Sequence, residues 1–226
     1  LEDIKFVEEE FDLWFKEILD REWPKLVKEI DQKRAKITDG IARRFTGLGI
    51  TESQVDQVLI SMSLKTKKAQ DWSDDDIMGF LKSLRKIAKP LLIAANKADL
   101  CDDLKIIEKI SEKFKVIPSS AETELLLKKA TKAELINYVP GDDNFSGKEN
   151  TQLSEQQNSA LHLAKNVLTK IQTTGVQEIL NSIIFDVLDM IIVYPVEDET
   201  KLMNKQGQVL PDARLLKKGS TAKELA

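Results

Sequence analysis

A short apolar run, Pro90-Leu-Leu-Ile-Ala-Ala95, divides this sequence into two textures. Such a run, without polar alternation, has the length and character of a buried parallel strand. Before it the apolar residues recur at helical spacing. Ile4, Val7, Phe11, Trp14 and Ile18 describe one long amphipathic helix ending near Trp23 and Pro24, with Pro24 suited to the first position of the next. Thr51 with Gln54, and Ser73 with Asp76, form capping boxes ahead of further helices. Residues 1–88 therefore read as a helical region. After the run the order becomes strand, helix, strand, helix. Asn96–Asp99 is a loop, Leu104 to Phe114 a helix, Lys115-Val-Ile-Pro118 a second strand, and Glu122 opens a further helix. This is an α/β signature. Pro140–Asn150 reads as a polar loop, Ser154 with Gln157 as another capping box, and Val176–Val187 as a helix just past Gly175. Met190–Val196 reads as a strand, Asn204–Gly207 as a turn toward a strand at Gln208–Leu210, and Thr221 with Glu224 as a last helix start.

Composition removes several classes of function. A single cysteine, Cys101, cannot form an internal disulfide, and a single histidine, His162, removes zinc sites and triads that need several such side chains. An intracellular, cytoplasmic protein is the default expectation. The longest apolar stretch, Ile183–Val196, is interrupted by Asp186, Asp189 and Pro195, so no membrane span or membrane partner is expected. A formal charge of -4 gives no overall pull toward nucleic acid. The chain opens on Leu1 rather than Met, directly in a helical pattern, and its last helix start is cut short, which suggests a fragment. Such a fragment is expected to expose a sheet edge and to be marginally stable.

The tetrad Asn96-Lys97-Ala98-Asp99 follows a strand, where α/β folds put ligand sites. A carboxylate at Asp99 can accept two hydrogen bonds from N1 and the exocyclic amino group of guanine, a donor pair that adenine lacks. The Lys97 stem can lie over the purine, and the Asn96 amide can bridge loops. The second strand ends in Ser119-Ser120-Ala121, from which a backbone N–H can meet guanine O6 while Ser120 steadies Asp99. The candidate base-binding set is thus Asn96, Lys97, Asp99, Ser120 and Ala121. The competing reading has these residues only capping the helices that follow.

On these motifs, together with Asp3–Glu10, Gly175-Val-Gln-Glu178, Val193-Tyr-Pro-Val196, Val209-Leu-Pro-Asp212 and Leu216–Thr221, the sequence resembles the YchF-like subfamily, archaeal type, of the Obg family of P-loop GTPases. The resemblance implies a Ras-like G domain with a helical insertion, followed by a small β-grasp TGS module. The fold class expected is α/β. Residues 1–88 would include the insertion, 89–189 the second half of the G domain, and 190–226 a truncated TGS domain. It also implies hydrolysis of GTP to GDP and phosphate with Mg²⁺ in the longer parent, and association with ribosome or ribosomal RNA. The chain itself lacks a Gly-rich phosphate loop and an Asp-x-x-Gly element. The stretch Gly141–Glu149 fails as a phosphate loop, with Glu149 where a hydroxyl belongs. No catalytic residue and no metal ligand is therefore assigned within the chain. Two alternatives stand beside this reading. One is an ATP-preferring relative, against which the guanine-type Asp99 argues; the other is a non-catalytic RNA- or ribosome-binding module.

Other features have plainer readings. Lys33, Arg34, Lys36, Arg43 and Arg44 fit a solvated helix face better than an RNA contact. Asp71 and Asp74–Asp76 suit a helix start without any metal. Trp14, Trp23 and Trp72 read as packing anchors, Cys101 as a loop thiol, and His162 as a helix-surface residue.

Overall fold

The computed structural model describes residues 2–101, 103–149, 152–197, 200–210 and 212–225. Asn150 and Pro211, which belong to motifs quoted above, lie outside these. The chain separates into two compact units, Leu1–Leu91 and Leu92–Ala226.

In the first unit the described residues form helices without a strand: α1 (Glu2–Asp31), α2 (Ile37–Arg44), α3 (Glu52–Ser61) and α4 (Asp74–Ala88). Helix α1 packs on α4 and α2, and α3 packs on α2 and α4. Their apolar faces close one core around Phe15, Leu19, Leu59, Phe80 and Leu84, all fully buried. Trp72 is buried and meets the rings of Trp23 and Phe80 at centroid distances of 5.2 and 5.4 Å. Both expected capping boxes are formed. The Thr51 hydroxyl accepts from the Gln54 N–H at 3.3 Å, and the Asp76 carboxylate accepts from the Ser73 N–H at 2.7 Å.

The expected break at Trp23–Pro24 does not occur, because α1 runs through Pro24 to Asp31. Proline removes one N–H from the helix ladder, leaving a carbonyl one turn earlier without its partner. That carbonyl belongs to Asp20 on the exposed face, where water can serve it. Leu26 and Ile30, beyond the proline, continue the core-facing stripe and hold the helix together.

One polar cluster lies inside this unit. Arg85 is 3 % exposed, and its Nε donates to Asp12 at 2.6 Å while Nη2 donates to Glu8 at 2.9 Å. Burial works against the guanidinium charge, but the bonds to Asp12 and Glu8 outweigh it and hold the pKa above the ordinary arginine value.

The second unit opens with β1 (Leu92–Asn96), α5 (Lys105–Ser111) and β2 (Lys115–Ser119). The strands pair in parallel, from Leu92 opposite Lys115 to Asn96 opposite Ser119. Then come α6 (Ala121–Lys132), β3 (Ile136–Asn137), β4 (Ser146–Gly147) and α7 (Glu155–Ile171), with the Ser154–Gln157 capping box in place. Leu127, Ile136, Tyr138, Leu161 and Leu168 make the core between α6, β3 and α7. Strand β1 is less enclosed than its apolar sequence suggests, with Ala94 and Asn96 exposed. Among the described residues β2 is its single partner, so most of the cover that a parallel strand ordinarily receives is missing.

Helix α8 (Val176–Asn181) passes into a π-helical turn at Ser182–Val187. Strand β5 (Met190–Val193) then pairs antiparallel with β6 (Arg214–Lys217), and α9 (Ala222–Leu225) follows. The Asn204–Gly207 turn forms, with the Asn204 side chain accepting from the N–H groups of Gln206 and Gln208. The strand expected at Gln208–Leu210 is reduced to a single bridge between Met203 and Val209. The paired strand lies further on, where Leu215 and Leu216 match Ile192 and Ile191 in register. No helix among the described residues is long and apolar enough to cross a membrane.

Candidate functional site

The carboxyl ends of β1 and β2 stand side by side, so the loops that leave them share one end of the sheet. The first loop turns sharply because Lys97 takes a left-handed conformation, with φ 63° and ψ 32°. A short 3₁₀ turn, Ala98–Leu100, follows, anchored by the buried Ala98. Asp99 is half-buried beside it, while Asn96 and Lys97 are exposed. The second loop is tighter. Ser119 and Ser120 are buried, and Ser120 is the N-cap of α6.

One hydrogen bond joins the two loops directly: the Asn96 Oδ1 accepts from the backbone N–H of Ala121 at 3.1 Å. All five candidate residues, Asn96, Lys97, Asp99, Ser120 and Ala121, thus belong to a single corner of the unit. Two expected details differ. The Ser120 hydroxyl is spent on Thr123, 2.8 Å from its Oγ1 and accepting its N–H, rather than on Asp99. That follows from its place at the helix start, where an orphan N–H needs an acceptor. The loop's N–H groups are also engaged, Ser120's by the Thr174 carbonyl at 2.9 Å and Ala121's by Asn96.

Sequence reading did not find the elements behind these loops. Lys170, in the last turn of α7, donates to the backbone carbonyls of Asp99, at 3.3 Å, and of Cys101. Thr174, fully buried, donates its hydroxyl to Glu124 at 2.6 Å, and Tyr138 donates to the same carboxylate oxygen at 2.7 Å. Burial first, and the Glu124 carboxylate second, push the Tyr138 pKa above the ordinary tyrosine value. Gly175 has φ +75°, and a Cβ there would stand 2.0 Å from the Pro118 carbonyl oxygen. The glycine was the one visible signal, since only a residue without Cβ tolerates both conditions. A cleft of about 380 Å³ adjoins the corner, lined by Asp99, Glu122, Leu126, Leu163, Val167 and Lys170.

The remaining candidates have other partners. Arg43 pairs with Asp39, and Arg44 meets Glu22, Glu29 and the Gly40 carbonyl, so both arginines are engaged within the helical unit. Lys33, Arg34 and Lys36 border a shallow depression beside Asp39 and Glu52. Asp76 is a capping residue paired with Lys67. The Cys101 thiol donates to the Asp103 carbonyl, and His162 is exposed on α7. Among the described residues no three His, Cys, Asp or Glu side chains gather as a metal site, and the resemblance puts its magnesium in the longer parent.

Comparison with known proteins bears on the same corner. Residues 94–198 match the family described as Obg-like GTPase YGR210-like, G4 motif-containing domain. The chain is 44% identical over 229 residues to the uncharacterized GTP-binding protein MJ1332 of Methanocaldococcus jannaschii, covering 100% of this chain and 57% of that protein. The crystal structure of a GTP binding protein from Pyrococcus horikoshii OT3 superposes with a TM-score of 0.76 at 36% identity, over 99% of this chain and 59% of that one. The chain therefore spans somewhat more than half the length of these relatives. The segment that holds Asn96–Asp99 and Ser119–Ala121 is thus similar to the G4 motif-containing domain of Obg-like GTPases, within a chain similar along its length to proteins named for binding GTP.

Proposed function

We propose that the corner formed by Asn96–Asp99 and Ser119–Ala121 reads the base of a guanine nucleotide. The observation that carries this is the Asn96–Ala121 hydrogen bond, which ties the two loops into one surface with Asp99 beside it. The Asp99 carboxylate accepts from guanine N1–H and from the exocyclic amino group. Adenine presents an acceptor where guanine has N1–H and carries no amino group at C2, so it loses both bonds and meets repulsion at N1. The Lys97 stem covers the purine face. The Ala121 N–H, in the exposed first turn of α6, is shared between Asn96 Oδ1 and guanine O6, a three-centre arrangement common at helix starts.

In the whole protein this corner selects GTP, which is hydrolysed to GDP and phosphate by residues outside the chain, with Mg²⁺ held there. The resemblance of the motifs supports a YchF-like member with a helical insertion over residues 1–88, G-domain residues at 89–189 and a TGS module from 190. It also supports a cytoplasmic protein that meets the ribosome or its RNA. Lys33, Arg34, Lys36 and the exposed Arg43 are the surface available for that contact, since Arg44 is engaged within the helical unit.

The test is a competition of GTP, ATP and xanthosine triphosphate against labelled nucleotide, on the whole protein and its Asp99→Asn variant. Wild type is expected to prefer GTP, and the variant to turn toward the xanthine nucleotide, whose O2 accepts from the new amide. Preference for ATP, or an unmoved ranking in the variant, overturns the assignment. Salt-sensitive RNA binding that GTP leaves unchanged would put a non-catalytic module in its place.

A further inference from the structure

We infer that the turn between α7 and α8, residues 170–175, is a third element of the base site and that Lys170 is its positioning residue. This inference rests on the base-reading assignment above and deepens it, since neither motif loop contains these residues.

The argument starts from what holds the two loops still. A carboxylate that discriminates by paired hydrogen bonds must keep its place within about half an ångström. The Asp99 loop has little of its own to do this. It is a left-handed residue and one 3₁₀ turn, closed by the Leu100 N–H to Lys97 at 3.0 Å and the Cys101 N–H to Ala98 at 3.3 Å. Lys170 gathers two further carbonyls of this segment, those of Asp99 and Cys101. A lysine suits this task because its ammonium offers several donors and no acceptor. It sits in the last turn of α7, where a cation is favoured by the helix carbonyl end.

The same turn grips the second loop by different means. The Thr174 carbonyl accepts from the Ser120 N–H, while the Thr174 hydroxyl is locked to the buried Glu124. Gly175 brings the turn against the Pro118 carbonyl, a distance that no side chain permits. One six-residue segment therefore fixes the backbone of both base-reading loops from behind. The two grips differ in kind. Thr174 and Gly175 are buried or close-packed, so their loss would disturb the unit as a whole. Lys170 is exposed and holds only the Asp99 loop, so its loss is expected to loosen that loop alone.

The experiment uses the whole protein and guanosine as the probe, because the nucleoside tests the base corner apart from the phosphate site. Wild type, Lys170→Met, Lys170→Arg and Asp99→Asn are titrated with guanosine and with adenosine by amide NMR, and amide hydrogen exchange is read alongside. Lys170→Met is expected to weaken guanosine about three- to tenfold, the range of one or two lost charge-assisted bonds, and to narrow the guanosine-to-adenosine ratio. Exchange should quicken at Leu100 and Cys101 but not at Ile117 in β2, the melting temperature should hold, and Lys170→Arg should recover binding to within about twofold. Wild-type affinity in Lys170→Met, or equal quickening at Ile117, overturns the positioning role while leaving base reading intact. If wild type shows no base-selective response, or Asp99→Asn behaves as wild type, the base assignment itself fails and this inference falls with it.

Discussion

The helical unit and the unit that follows it are stabilised in different ways. In residues 1–91 one core of fully buried side chains, with Phe15, Phe45, Phe80 and Leu59 among them, collects the apolar face of every helix. In residues 92–226 the core lies between α6, β3 and α7, while Leu100, Val139, Leu163, Leu188 and Val209 stay well exposed. The first unit carries its stability in packing. The second holds its candidate site by hydrogen bonds between residues far apart in sequence, such as Asn96 to Ala121 and Lys170 to Asp99. The dense core and the candidate site therefore lie in separate stretches of chain, and each can be perturbed in its own unit.

The largest test of that contrast is Phe80→Ala. Phe80 is fully buried, with its ring beside Trp72, and its loss should cost about 3–5 kcal/mol through lost burial and the cavity left behind. All three tryptophans lie in the helical unit, so urea unfolding followed by tryptophan fluorescence reads it directly. A loss below about 1 kcal/mol would show that this core is not the dense one described. Next is Arg85→Met, which strands the buried Asp12 carboxylate and takes the partner from the half-buried Glu8, and should cost about 3 kcal/mol at neutral pH. The penalty should be smaller in Arg85→Lys, which keeps a cation beside both carboxylates. Equal penalties in the two variants would mean that the fork of the guanidinium, rather than its charge, is what the unit uses.

What could be read from the amino acids follows the same division. The helical stripe, the capping boxes at Thr51, Ser73 and Ser154, and the parallel pair around Ile93 and Ile117 are local patterns, and all form. The passage of α1 through Pro24 was hidden because the core contacts of Leu26 and Ile30 override a local breaker. At the site, the tetrad Asn96–Asp99 announced itself by residue type and by its place after a strand. The role of Ser120 went astray because a hydroxyl at a helix start serves the nearest orphan N–H, here that of Thr123. Lys170, Thr174 and Glu124 left no pattern at all, since their partners are fixed only by the packing of α7 against α6 and the 3₁₀ turn.

A middle-sized test lies in the second unit. Glu124 accepts from both Tyr138 and Thr174, and Glu124→Gln should cost about 1–2 kcal/mol, because the amide keeps one acceptor but weakens two bonds to a charge. The pH dependence has a definite sign. The folded Tyr138 pKa is raised, so this group's contribution is fully present below the unfolded value of about 10 and is lost as pH rises through the folded one. Phenolate absorbance of a Tyr194→Phe background isolates Tyr138, and Glu124→Gln should shift its titration downward. An unshifted titration would sever Glu124 from Tyr138 and remove one tie behind the Ser120 loop.

The smallest effect belongs to the surface of the helical unit and sharpens the contrast from the other side. Asp76 accepts from Lys67 at 2.6 Å and from the Ser73 N–H and hydroxyl at 2.7 and 2.8 Å, and these bonds, Lys67 first, lower its pKa from 3.8 to about 2. The contribution is present above the unfolded value and is lost as pH falls from about 4 to 2. Because the carboxylate lies at the surface and still meets water, this is an adjustment to the start of α4 and not a support of the core. Carboxyl NMR should show the Asp76 titration move up in Lys67→Met, with the tryptophan-detected urea midpoint at pH 7 changing far less than in Phe80→Ala. If Lys67→Met instead lowered that midpoint as much as Phe80→Ala does, the stability of the helical unit would rest on its surface ion pairs as much as on its packing, and the distinction drawn between the two units would not stand.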